Sequence, residues 1–206
     1  MHIFRSTTFL LAASLLSLPA GLAQQKAFDG PPAYTAPPPP APGSLNWVPG
    51  GLAAIAQQAS TKTEFTFDRS TLALVGQLST LDQPTRDAIA RLNGISLHLY
   101  RFPAAGSATT SYDPAAVDEI RSELNTPGFN HIVNQGGHQG ANGTQAGRTD
   151  VWLAMNGVNP KGAVILLSTA SSLNLIDISG DISTLDLLHL RGHFGIPQFS
   201  TDTPAR

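Results

Sequence analysis

The chain has 206 residues, a net charge of −2 and no cysteine. Without cysteine there are no disulfides, thiolate metal ligands or cysteine nucleophiles. The scattered charges make no basic face of the kind phosphate binding requires, so no nucleic-acid partner is expected.

Residues 1–23 read as a secretory signal peptide. Arg5 lies in a short start, an apolar run extends from Phe9 to Leu18, Pro19 breaks it, and Gly21 and Ala23 supply small residues for a peptidase. The run is only about half the roughly 20 residues that cross a bilayer. Cleavage after Ala23 is therefore expected, leaving a periplasmic or secreted protein with no stable membrane span. Residues 24–51, rich in Pro, Ala and Gly with a proline run at 37–40, favour an extended Pro-rich disordered linker. A single domain is expected over 52–196, with a C-terminal tail at 197–206.

Within that domain, Leu52–Ala59 suits a short helix. Asp68 is placed to cap a helix running to about Leu81, with Leu72, Val75 and Leu78 on one face. Pro84 opens another helix, carrying Ala88, Ile89 and Leu92, which Asn93-Gly94 would end with a left-handed turn. The period then changes. Ile95, Leu97 and Leu99 alternate with Ser96, His98 and Tyr100, as in a half-buried strand. Asp113-Pro114 starts a helix to Leu124 striped by Val117, Ile120 and Leu124, and Phe129–Asn134 suits a strand.

After the glycine-rich stretch 136–147 come three strand segments, Arg148–Met155, Gly162–Ser168 and Leu173–Ser179. Their connections are too short for parallel crossovers, so they form an antiparallel meander. Ser183 and Asp186 have capping-box spacing for a last helix, with Ile182, Leu185 and Leu188 turned to the core. The order implies an α+β domain: a mainly antiparallel sheet of about five strands, helices packed on one face, and the C-terminal meander followed by a helix.

The wording of the chain resembles the bacterial domain-of-unknown-function family 4252. The residues concerned are LNGISLHLYRF at 92–102, YDPAAVDEIRSEL at 112–124, RTDVWLAM at 148–155 and LNLIDISGDISTLDLLHL at 173–190. The resemblance implies the fold and an exported cell-envelope location, with a possible link to envelope signalling. It implies no activity. Many members of that family look like lipoproteins, whereas this chain lacks the cysteine that would carry the lipid.

Chemical motifs are sparse. His189 and His193 have the four-residue spacing of two metal ligands on a helix, but Leu190 stands where a zincin carries its glutamate. His138 lies in the glycine-rich stretch, which lacks the lysine and following helix of a phosphate loop. Trp152 shares strand parity with Arg148 and Asp150, so it is a candidate exposed binding aromatic, although a strand Trp more often packs beneath a helix. Asp177, Asp181 and Asp186 raise the question of a carboxylate pair, and no serine occupies a nucleophile elbow. No cofactor is expected. The leading expectation is a non-catalytic protein that binds an unidentified envelope protein or component through its sheet or loops. The alternative is a metal-dependent hydrolase using His189 and His193.

Overall fold

A computed structural model describes residues 44, 47–103, 112–136 and 147–199. The signal segment, most of the linker, and His138 lie outside the described residues. Five helices and six strands follow in the order α1 (Gly50–Gln58), β1 (Thr61–Asp68), α2 (Arg69–Val75), α3 (Gln83–Ala90), β2 (Leu92–Arg101), α4 (Pro114–Leu124), β3 (Phe129–Gly136), β4 (Arg148–Asn156), β5 (Asn159–Ser168), β6 (Ser172–Gly180) and α5 (Thr184–Leu190). The strands form one sheet in the order β1-β2-β6-β5-β4-β3, and every neighbouring pair is antiparallel. The fold is α+β, as the sequence implied, with the C-terminal meander and closing helix in place.

The helices lie on both faces of the sheet rather than one. Leu72 of α2, Ala88 and Ile89 of α3, and Leu187 and Leu190 of α5 pack with Ile95, Ile165, Ile176 and Ile178. Leu52 and Ile55 of α1, with Val117, Ile120 and Leu124 of α4, pack with Trp152, Val164, Leu166 and Leu175. The sequence carried this fact in β5, where Ala163 to Leu166 are all fully buried. A strand apolar on both sides requires cover on both sides.

Local chemistry sets most boundaries. Asp68, Asp82 and Asp113 each accept a hydrogen bond from a backbone N–H of the helix they precede. Ser183 and Asp186 complete a reciprocal capping box, satisfying donors that a helix start leaves open.

Several expectations need correction. α2 ends at Val75, with Gly76 accommodating the last turn, so Leu78 lies outside it and is exposed. Asn93-Gly94 does not end a helix: Gly94 is inside β2, where the register shifts between Leu92 and Gly94. On α5 the inward residues are Leu187 and Leu190, while Leu185 faces water. A strand precedes the first one the sequence pattern implies: in β1, Phe65 and Phe67 alternate with Glu64, Thr66 and Asp68, too short an apolar pattern to mark it. Packing also extends beyond 52–196: Trp47 and Phe199 are both buried in the cores.

Gly180 explains how the last strand meets the end of α3. Its φ is +145°, and a Cβ there would lie 2.5 Å from the carbonyl oxygen of Arg91. Only glycine permits that approach at that backbone angle.

Candidate functional site

The α1/α4 face of the sheet carries two polar groups separated by aliphatic side chains. One row of facing residues runs His131, Trp152, Val164, Asp177, Ser96, Thr66 across all six strands. The adjacent row runs Asn134, Asp150, Leu166, Leu175, His98, Glu64.

At the β3–β4 side, the fully buried Asp150 carboxylate takes hydrogen bonds from two arginines and is approached by a histidine. Arg148 Nε lies 3.0 Å and Arg121 Nε 3.1 Å from its Oδ2, and His131 Nε2 lies 3.3 Å from its Oδ1. Arg121 also reaches Asp118 Oδ1 at 3.1 Å and Ser168 Oγ at 3.4 Å. This hub ties α4 to β4 and β5, and its charges are spent on one another.

Trp152 belongs to the same hub. It is buried, not exposed: its ring stacks on His131 at 4.5 Å, and its Nε1–H donates to Asn125 Oδ1 at 3.0 Å, just beyond α4. It anchors α4 and offers no face to a ligand. Parity with Asp150 was a poor guide because Asp150 is itself fully buried and paired with Arg121 of α4.

At the β1–β2–β6 side, Tyr100 donates a 2.8 Å hydrogen bond to Glu64 Oε1, which holds the Glu64 carboxyl below its usual range. His98 Nδ1 approaches the same oxygen at 3.5 Å, an electrostatic contact rather than an aligned hydrogen bond. Asp177 is fully buried, and neither carboxylate oxygen has a hydrogen-bond partner among the described residues. Burial pushes its carboxyl up to about 8.

The three aspartates considered for paired chemistry do not converge. Asp177 sits inside the α1/α4 face, exposed Asp181 pairs with Lys161, and Asp186 is occupied by its capping box and by Arg91 at 2.5 Å. Asp150, which the sequence did not single out, lies two strands from Asp177, about 10 Å away across the sheet alone.

The histidines are likewise dispersed. His98 and His131 are on strands four places apart in the sheet order, about 19 Å at ordinary strand spacing. α5 ends at Leu190, and Arg191 already has extended ψ, so His193 is not on the helix with His189. Both lie near enough to Asp82 to favour its charged form, behind the larger effect of its hydrogen bonds from Thr85. Among the described residues, no group of three His, Asp or Glu side chains is arranged to hold a metal ion.

Hollows among the described residues include two that lie on the α2/α3 side of the molecule. The first lies on the α2/α3/α5 face, at one end of the sheet, and its lining comes from strands alone. It is a cavity of about 390 Å³ lined by Thr61, Thr63, Leu99, Arg101, Ser172 and Asn174. These side chains come from adjacent strands in register: Thr61 faces Arg101 and Ser172, and Thr63 faces Leu99 and Asn174. Ser172 bonds Thr169 at 2.8 Å. The side chains of Thr61, Thr63, Asn174 and Arg101 make no hydrogen bond or ion pair within the described residues. Thr61 and Arg101 are exposed and Thr63 and Asn174 partly so, which leaves these groups open to water or to a ligand. The second hollow is a cleft of about 340 Å³ between α2 and α3.

No family model, curated protein or solved structure matches the chain. The family resemblance seen in the wording of the sequence therefore gains no support from comparison.

Proposed function

We propose that this chain is an exported, non-catalytic binding protein of the cell envelope, and that the open sheet end around Arg101 and Asn174 is its contact surface. The carrying observation is the set of hydroxyl, amide and guanidinium groups that line a concave floor and have no partner among the described residues. The buried clusters support the same reading. Asp150 is neutralised by its own arginines, and Asp177 lies closed within a sheet face, so neither presents a reactive group to a substrate. Export rests on the Arg5, apolar-run and Ala23 pattern of the first 23 residues.

A photo-crosslinking amino acid placed at Asn174 or Thr63 in the producing cell tests the proposal. The expected product is one recurrent envelope adduct, absent when the same group is placed at Val158, an exposed turn residue. Identical products from all three positions, or retention of residues 1–23 in a cytosolic chain, would refute it.

A further inference from the structure

The outermost strands of the sheet, β1 and β3, end it differently. The β3–β4 ladder shifts register between His131 and Val133, and a bulge of that kind spoils an edge for further pairing. β1 pairs with β2 without a break from Thr61 to Asp68, contains no proline, and is exposed or partly exposed along its length. Among the described residues no hydrogen bond reaches its outer backbone groups. Phe65, near its middle, is 52% exposed. An unbroken open edge with an apolar side chain at its centre is a template for another strand.

The side chains of β1 select that strand. In an antiparallel pair, facing residues project from the same side of the sheet, and sides alternate along each strand. A two-fold axis between two copies of β1 must therefore pass through a residue. Through Lys62 or Glu64 it would set a charge against itself, and through Thr66 it would set Glu64 against Asp68. Through Thr63 it would pair only Thr61 to Phe65 before running into the end of α1. Through Phe65, every residue from Lys62 to Asp68 is paired. Phe65 then lies against Phe65 of the second copy, and Lys62 faces Asp68 on both sides of the axis. Aromatic and opposite-charge pairs are the stabilising cross-strand contacts. Asp68 keeps its capping role, because its bonds from Ser70 and Thr71 both end on Oδ1 and leave Oδ2 for the lysine.

We infer that β1 is the contact between two copies of this chain, their sheets joined edge to edge with Phe65 on the two-fold axis. The contact uses the outer edge of β1 and does not rest on the sheet-end hollow proposed above as a binding surface. Light scattering of the purified chain should give twice the chain mass, falling on dilution. Phe65→Lys sets like charges on the axis at an exposed position, and should leave a monomer with the circular dichroism of the parent. Lys62→Glu should weaken association about tenfold, and adding Asp68→Asn, which retains a capping acceptor, should recover part of the loss. The chain has no cysteine, so introduced thiols report the register. Facing Cα atoms lie about 4.5–5.5 Å apart, within disulfide reach, whereas the two copies of position 63 would be about 14 Å apart along the strands. Mild oxidation should link Phe65→Cys chains in pairs and leave Thr63→Cys chains single. A monomer at concentrations up to about 1 mM, a dimer indifferent to Phe65→Lys, or linkage through Thr63→Cys in place of Phe65→Cys would each overturn the inference.

Discussion

Ser96 and Asp177 face each other across the β2–β6 ladder, yet among the described residues the Asp177 carboxyl accepts no hydrogen bond from Ser96 or any other group. A fully buried carboxyl in that position keeps its proton, and burial accordingly raises it to about 8. The sign of the pH effect follows. An unfolded aspartate titrates near 4, so between about pH 4 and pH 8 the folded state holds a proton that the unfolded chain has released. Stability is fully present below the lower value and falls as pH rises through the window, at up to about 1.4 kcal/mol per pH unit.

Thermal melts from pH 5 to pH 8 should therefore show a falling midpoint, and Asp177→Asn should flatten the profile. If wild type and variant keep the same slope, some other group is responsible.

Trp152→Ala should cost about 3–5 kcal/mol, the range for emptying a buried aromatic site. Trp152→Phe keeps most of the packing but loses the bond to Asn125, and should cost about 1 kcal/mol. Urea denaturation of both variants measures the difference. A surface aromatic would give two small, similar losses instead.

Asp150→Asn should be far more damaging than removal of Arg148. It strands Arg121 beside a neutral amide under α4, and a broken buried pair costs about 3 kcal/mol or more. Arg148, whose side chain is 39% exposed, can regain water, so Arg148→Gln should cost under about 1 kcal/mol. Comparable losses from the two substitutions would mean that Asp150 is less enclosed than the ion-pair geometry implies.

α1 lies close against α4 at Gly51, where a Cβ would sit 2.3 Å from the Ala116 carbonyl oxygen. Gly51→Ala should push the helices apart at a cost of about 1–3 kcal/mol. It should also expose Trp47, which is buried in the same core. A red shift of tryptophan emission together with a lowered melting midpoint is the expected signature, and an unchanged spectrum would contradict this packing.

The sequence determined the elements whose causes are local. Asp113-Pro114 and the Ser183–Asp186 box marked helix starts through side chains that bond backbone donors a few residues away. The alternation of Ile95, Leu97 and Leu99, and the unbroken apolar run in β5, marked strands through the two-residue period. The polar hollow at the sheet end was not legible in the same way: Thr61, Thr63, Arg101 and Asn174 are unremarkable in their own segments.

Tertiary structure decided everything that depends on pairing between distant segments. Insertion of β2 beside β6 made Ser96 the neighbour of Asp177, and registration of β1 on β2 brought Thr63 beside Leu99. The placing of α4 over β4 buried Trp152 and joined Arg121 to Asp150. Periodicity tells a residue which side of its own element it occupies. Which element covers that side is set by contacts across the whole chain, and those alone determine whether a polar group is satisfied, stranded or open to a ligand.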